Sequence, residues 1–319
     1  MGNLRAAHGQ QEAPVAGDAP LSATGKIIRD SNPTTPTELI RAIDQLTTFG
    51  DTDLANVYAR QLGEKGGPEN KEDLLTLGDS LGTQPIFRIA NNRTLDESAR
   101  RVCQEILAAM RQRDIDPQRL QRLAKLAVEN DLQARRDALL KLRVAGSPAV
   151  NALVGILLTG NPTEQRAAQE GLLFLGTPAV SPLLAVLETN NEDLRLRVLA
   201  VLTQLADPAA LDDIRIATFT SVGVDERKDL TRKIRSAIRQ YLQGKKGIVE
   251  PAGTQQILWE WDDQSALLTT RSGSHSLRAA KAANRLASAL YVAAPTKTNA
   301  ILEAVAILQY EKLNSIPEN

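Results

Sequence analysis

Cysteine is nearly missing from this chain of 319 residues: Cys103 stands alone, so no disulfide can close within it and no cysteine cluster can hold a metal. Histidine occurs only as His8 and His275, which excludes most histidine-based metal sites. Aromatic residues make up 3% of a composition that is 42% hydrophobic, so the core must be aliphatic, with leucine, alanine, valine and isoleucine packing helices at close range. Neither sign of charge is in excess, with 38 basic and 38 acidic side chains. That balance argues against a protein dominated by phosphate binding and leaves only local patches to consider. No apolar run approaches the roughly 18 residues a membrane span needs.

Chemical motifs are equally scarce. Gly63–Gly67 has neither the spacing nor the Lys-Ser/Thr ending of a phosphate-binding loop. The adjacent acids Glu72-Asp73 and Asp262-Asp263 do not supply a coordination sphere. Ser274-His275-Ser276 tempts a nucleophile-and-base reading but lacks a G-x-S-x-G context, and reads instead as a loop entering a helix. Cys103 falls within a helix expected over 95–110 and reads as a small core residue. No catalytic residue, cofactor or metal is therefore assigned, and a non-catalytic role is expected.

Residues 1–35 carry Ala, Gly and Pro without apolar period and read as a disordered tail. Ala7-His8-Gly9 has the small-x-small form of a signal-peptidase site, but no apolar region precedes it. The sequence as written is expected to be cytoplasmic, and extracytoplasmic if the start has cut away a leader. Met1-Gly2 suggests myristoylation only until Ala6, which stands where Ser or Thr is needed.

From Pro36 the apolar residues recur at helical spacing: Leu39, Ile40, Ile43 and Leu46 before Gly50, then Leu54, Val57, Tyr58 and Leu62 before Gly63, Gly66, Gly67 and Pro68. This string, P-T-E-L-I-R-A-I-D-Q-L-T-T-F-G-D-T-D-L-A-N-V-Y-A-R-Q-L, resembles one TPR-type hairpin. With shorter helices near 71–81 and 84–91 it makes an expected helical cap over 36–91.

Downstream the chain repeats itself. Gly146-Ser147-Pro148-Ala149-Val150 returns thirty residues on as Gly176-Thr177-Pro178-Ala179-Val180, and more weakly as Ala206-Asp207-Pro208-Ala209-Ala210. The apolar frame after the turn repeats too: Val150, Leu153, Val154 and Leu157, then Val180, Leu183, Leu184 and Leu187. A fixed period of this length signals a solenoid whose units fold only as a stack. Proline in the first helical turn loses no hydrogen bond, which places Ser147, Thr177 and Asp207 at helix N-caps. These residues resemble HEAT-like repeats of about thirty residues, including those of phycobilin lyases. The match is good over 146–211 and extends to an array over 92–243. It implies an all-α fold, a right-handed α-solenoid of HEAT-like helix pairs, with a binding surface lined by the second helices. Non-core positions there include Asn151, Ser181 and Glu188.

After an expected linker at 244–254, Ile257, Trp259 and Trp261 alternate as a strand does, and Ala266–Thr270 supplies a second strand of a small β-hairpin. Two helices follow, with Leu286, Leu290 and Tyr291 on one apolar stripe and Ile301, Val305 and Leu308 on the other. The turn Ala293-Ala294-Pro295-Thr296 between them is TPR-like, closing a region 255–319. The layout resembles the N-terminal part of large bacterial proteins that mix HEAT and TPR repeats, and a chain ending soon after a single helical pair would suit a fragment of one.

Two surface features offer recognition chemistry. Lys228, Arg232, Arg235 and Arg239 share one helix face, and residues 225–246 hold eight basic and three acidic side chains. The functional reading is a polyanion such as nucleic acid; the plain one is a solvated outer face. Trp259 and Trp261 either form a partner-binding platform or pack the hairpin onto its neighbours. The expected function is a protein–protein interaction scaffold with a protein or peptide partner, using the surface of the HEAT-like superhelix. Polyanion binding through 225–246 is the alternative. A HEAT-like enzyme of lyase or DNA-glycosylase type is a second alternative that the scaffold, by resemblance, admits.

Overall fold

A computed structural model describes residues 21–66, 70–219, 223–245 and 256–315. Among them are sixteen α-helices and one two-stranded antiparallel sheet, an all-α fold carrying a small β-hairpin. The helices pack in adjacent pairs, as a helical repeat would, and contacts divide the chain into two units on either side of the Arg113–Asp114 bond.

The first unit holds α1 (Ala23–Ser31), α2 (Pro36–Phe49), α3 (Thr52–Lys65), α4 (Lys71–Leu81), α5 (Thr83–Asn91) and α6 (Glu97–Asp114). Thr35 and Glu38 form a reciprocal capping box ahead of Pro36, and Gly50 ends α2 in the left-handed region at φ 84°. The apolar faces of α2, α3, α5 and α6 meet over Leu39, Ile43, Leu62, Ile86 and Ile106. Thus α6, read in the sequence as the start of the array, shares its buried side chains with the helices before it.

Two expectations need correction here. Residues 23–31 are helical rather than disordered: Ser22 caps the helix, Ile28 is buried, and Ser22 donates from its backbone N–H at 3.0 Å and its hydroxyl at 2.5 Å to Asp51. Those hydrogen bonds hold the Asp51 carboxyl below its ordinary range. Such a short helix buries too few apolar side chains to display a period. Residues 1–20 lie outside the described residues. Gly63 does not stop α3, which continues to Lys65. A Cβ built on Gly63 would lie 1.8 Å from the Ser98 hydroxyl oxygen, so this glycine serves the close approach of α3 and α6.

In the second unit, α7 (Pro117–Val128), α8 (Leu132–Ala145), α9 (Ala149–Thr159), α10 (Pro162–Leu175), α11 (Val180–Val186) and α12 (Glu192–Leu205) lie in two layers. Helices α7, α9 and α11 neighbour one another in one layer, and α8, α10 and α12 in the other. Their core is aliphatic throughout, with Leu142, Leu153, Leu157, Leu172, Leu183 and Leu202 fully buried. Each helix of the second layer begins on a side-chain cap: Asp131, Asn161 with Glu164, and Asn191.

The repeated turns hold the thirty-residue period, but their caps differ from expectation. Asp207 does accept from the Ala209 backbone N–H, at 2.8 Å. Thr177 instead lies within a 3-10 turn, Thr177–Ala179, that leads into α11. Ser147 turns outward and donates to the Pro178 carbonyl at 2.7 Å, tying one repeated turn to the next. The proline-led entry is so tight that α9 starts without a side-chain cap, which frees the hydroxyl for its neighbour.

Beyond α12 come α13 (Leu211–Ala217), α14 (Val224–Leu242), β1 (Gln256–Asp262), β2 (Leu267–Gly273), α15 (His275–Ala293) and α16 (Lys297–Asn314). Most of the expected linker, from residue 246 on, lies outside the described residues. The second strand runs three residues past the expected Thr270, to Gly273, and pairs antiparallel with Trp261 opposite Leu268. Helices α14, α15 and α16 share a core of Ile234, Ile238, Leu286, Leu290 and Ala306. The stripe predicted to pack α16 is not buried: Ile301, Val305 and Leu308 are 57%, 46% and 70% exposed. The adjacent face, with Asn299, Leu302, Ala306 and Gln309, makes the contact instead. Asn299 is buried because it accepts from Arg235 at 2.7 Å and donates to the Ala294 carbonyl at 2.7 Å.

Backbone conformation distinguishes the three repeated turns. Gly146 and Gly176 sit at φ 69° and 71° with ψ −135° and −142°, a region almost closed to L side chains, whereas Ala206 sits at φ 50°, ψ 30°. Gly176→Ala should cost roughly 1–3 kcal/mol, and Ala206→Gly should stabilise by roughly 0.5–1 kcal/mol, both read by chemical denaturation. In the first unit, Gly63→Ala adds a better helix former yet should lower the thermal midpoint, because the Ser98 hydroxyl is held by Asp96 and cannot simply turn away. A higher midpoint for this variant would show that α3 and α6 separate freely.

Candidate functional site

The surface expected to recognise a partner is partly occupied by the chain itself. Asn151 on α9 accepts from the Leu268 backbone N–H at 3.0 Å. Ser181 on α11 accepts from the Arg278 guanidinium at 2.9 Å. Glu188, just past α11, lies 3.4 Å from the Lys281 ammonium. These contacts seat the β-hairpin and α15 on the layer formed by α9 and α11. Trp259 and Trp261, half-buried, pack against the aliphatic core of the array alongside buried Leu268. On the other face of β1, Leu258 is buried over Gly273, and Glu260 pairs with Arg271 at 2.8 Å.

The hairpin turn is tied down by Asp263. Its carboxylate accepts from the Thr189 hydroxyl at 2.8 Å, the Asn190 side-chain amide at 2.7 Å and the Asn190 backbone N–H at 3.1 Å. The Trp261 indole N–H donates to it at 2.8 Å. Partial burial opposes ionisation here, but the hydrogen bonds from Trp261, Thr189 and Asn190 outweigh it and hold the carboxyl below its usual range. One side chain thus joins the hairpin to the loop between α11 and α12.

Between α11, α15 and the hairpin lies a half-open cavity of about 390 Å³, with Ser181, Tyr241, Trp259, His275, Arg278 and Lys281 in its lining. Two of its cations, Arg285 and Lys281, are built into ion pairs. Arg285 is buried and bidentate on Asp213, at 2.8 and 3.1 Å. Burial alone would favour the neutral guanidine, but Asp213 overrides it and raises the pKa. Lys281 donates to the Trp259 carbonyl at 3.1 Å and stands 3.8 Å from Glu260. Burial also pushes the Tyr241 hydroxyl upward. The arrangement is a polar seam that positions α15, with His275 in its lining.

Among the described residues no group of three His, Cys, Asp or Glu side chains is placed to hold a metal ion. The Cys103 thiol is buried and its pKa is pushed up to about 12, which keeps it protonated and unreactive. No described helix is long and apolar enough to cross a membrane.

The basic face of α14 is mostly engaged. Lys228 pairs with Asp225 at 3.2 Å, Arg232 and Lys233 both pair with Asp229, and Arg235 binds Asn299 and Thr296 of the following helix. The hydrogen bonds from Lys233 and Arg232 lower the Asp229 pKa. Arg239 is exposed, and Lys246 lies outside the described residues.

Arg239 borders a different feature. With Leu242, Gln243, Thr298, Ile301, Leu302 and Val305 it lines a groove of about 370 Å³ between α14 and α16. Leu308 continues this apolar strip along α16. Sequence reasoning assigned Ile301, Val305 and Leu308 to packing and so missed the groove. The available signal was that Leu302, Ala306 and Leu313 give α16 a second apolar side, and a helix apolar all round has more to cover than one neighbour can bury.

Both tryptophans lie in the hairpin, so their emission reports its docking. Asp263→Ala should destabilise the docked hairpin by roughly 1 kcal/mol, a charge-assisted hub discounted for its exposure, and shift the emission to the red at neutral pH. Because the Asp263 pKa is lowered on folding, its contribution is present above the unfolded carboxylate pKa and is lost as pH falls through the folded value. An acid titration should therefore redden wild type below about pH 4 with a smaller change in the variant; identical titrations would dismiss the hub. Comparison with protein-family models, with curated proteins and with solved structures gave no match to this chain.

Proposed function

We propose that this chain is a non-catalytic, HEAT-like repeat protein that binds another protein through the C-terminal helices α14 and α16. The recurrence of Gly-x-Pro-Ala-Val at the entries to α9 and α11 supports the HEAT-like reading. The hairpin-like pairing of α15 with α16 around Ala294 and Pro295 supports the TPR-like one. The observation that carries the function is the contrast between two surfaces. Polar positions of the α9 and α11 layer are engaged by the hairpin and α15, whereas the groove between α14 and α16 is mainly apolar and is covered by none of the described residues.

A groove flanked by an exposed Ile301, Val305 and Leu308 strip has the chemistry that receives an amphipathic helix, with anchors spaced by three or four residues. This reading places recognition away from Asn151, Ser181, Glu188 and the two tryptophans, which serve to seat the hairpin. Polyanion binding is the weaker reading, since Lys228 and Arg232 are paired on the surface with Asp225 and Asp229 of the same helix and Arg235 is taken up by Asn299. The ion pairs of Arg285 with Asp213 and of Lys281 with Glu188 beside α15 favour a structural role over catalysis.

A photo-crosslinking residue at Ile301 should trap a protein in cells, and one at Leu196, an equally exposed leucine of α12, should not. Leu308→Glu should reduce the Ile301 adduct at least about tenfold, the loss expected when a buried apolar anchor becomes a charge. Equal adducts at both positions, or an Ile301 adduct indifferent to Leu308→Glu, would dismiss the C-terminal face as a recognition surface.

A further inference from the structure

We propose that the half-open cavity beside α15 binds a small organic monoanion, a carboxylic acid whose aromatic or branched aliphatic body packs between α11 and β1 and whose carboxylate meets Arg278. The site is separate from the groove between α14 and α16, and it adds ligand binding to the protein recognition inferred there.

At about 390 Å³ the cavity falls at the small end of the range for ligand pockets, roughly 300–1,000 Å³. Its walls come from parts of the chain distant in sequence: α11, the turn at 207–209, Tyr241 of α14, β1 and one side of α15. On α15 the lining residues His275, Arg278, Ala279, Ala282 and Arg285 share that side at helical spacing. Alanine keeps the space open. Elsewhere in the array small residues let helices touch, as Gly171 does beneath Leu153. Here Ala185, Ala209, Ala279 and Ala282 border a void instead, beside the apolar Leu184 and Ile257. A leucine in place of Ala282 would fill part of that void and bury more apolar surface, so the small side chains cost stability where they stand.

The charged groups of the lining set the sign of the ligand. Lys281 is matched by Glu188 at 3.4 Å and Arg285 by Asp213 at 2.8 Å, and neither carboxylate belongs to the lining. Asp207, the one acid among the described residues of the lining, is turned to the Ala209 N–H that it caps. Arg278 donates to the Ser181 hydroxyl oxygen, a neutral acceptor, at 2.9 Å. A guanidinium carries five N–H donors in a planar fork, and one hydroxyl oxygen takes up a small part of them. Ser181 engages its oxygen there and has its own proton to give. A carboxylate set beside the two accepts from both, in charge-assisted hydrogen bonds that a neutral amide cannot match. With Lys281 and Arg285 each matched by one carboxylate, the fit is to a single negative charge rather than to a phosphate dianion.

Ligand-observed NMR on the full chain tests this with phenylacetate, hydrocinnamate and isocaproate, each beside its primary amide. At least one acid should bind with a dissociation constant of about 5 mM or tighter, the scale for so small a ligand. Its amide should bind at least about tenfold more weakly. Because the cavity is walled by α11, α15 and β1 together, the acid should also raise the thermal midpoint as its concentration rises. Arg278→Gln should weaken the acid at least about tenfold. Ala282→Leu, which leaves every charge in place and fills the recess, should do the same, with circular dichroism confirming that the variant folds. Should Arg278→Gln fail to fold, Ala282→Leu and Ser181→Ala carry the test. Leu308→Glu, on the other surface, should bind the acid as the wild type does. No binding of any of the three acids at roughly 10 mM, equal binding of acid and amide, or an affinity indifferent to Ala282→Leu would overturn the proposal.

Discussion

A helix pair built from leucine, valine and alanine cannot cover its own apolar edge, and the second unit follows from that constraint. With so few aromatic rings, no single side chain fills a wide gap, and the helices must approach closely on small residues. Gly171 shows the consequence, since a Cβ there would lie 3.3 Å from Leu153. Each pair then borrows its remaining coverage from the next. The Ser147 hydroxyl on the Pro178 carbonyl gives this coupling a polar counterpart, linking turns thirty residues apart. Stability is a property of the stack, as nearest-neighbour repeat energetics requires.

The layer of α9 and α11 would still present an uncovered face, and the hairpin with α15 covers part of it. Apolar coverage comes from Trp259, Trp261 and Leu268, the largest rings of the chain applied where the array has no further helix to offer. Polar groups fix the register: Asn151 reads a strand N–H, Asp263 gathers the loop after α11, and Glu188 meets Lys281. Arg285 on Asp213 is a different kind of contact. Burying both charges is costly, and the pair stands because it is bidentate; removing either partner would leave an isolated charge in a closed site. Such a pair specifies where α15 sits more than it strengthens the fold.

The repeat was legible in the sequence because its signal is redundant. Turn chemistry, proline spacing and apolar frame coincide at Gly146 and Gly176, and the structure places turns at both. The hairpin was legible for the same reason, alternation followed by an acidic turn. What escaped were features set by distance between elements far apart in the chain. Gly63 looks like a helix stop until Ser98 is seen against it, and Asn151 looks like a free polar position until Leu268 arrives 117 residues later. Helix α1 escaped because one buried isoleucine makes no period. The basic stripe of α14 was read correctly as a shared face but not as a set of pairs, since Asp225, Asp229 and Asn299 neutralise or engage it from positions that a count of charges ignores.

Helix α16 shows why direction matters as much as pattern. Two stripes at helical spacing compete for the core, Ile301-Val305-Leu308 and Leu302-Ala306-Gln309, and the more apolar one loses. Asn299 decides it. Its amide must reach both the Ala294 carbonyl and the Arg235 guanidinium, and only one rotation of the helix about its axis permits that while Gln309 donates to the Leu242 carbonyl. Leaving those polar groups buried without partners would cost roughly 1–3 kcal/mol each, which offsets the roughly 1.5–3 kcal/mol that burying an aliphatic side chain contributes. The helix is therefore held with its better apolar face outward. A surface that served only to be wetted would carry charges there, as the exposed positions of α14 do. Polar anchoring on one side and uncovered leucine and isoleucine on the other are the physical conditions under which a rigid helix face becomes a docking surface.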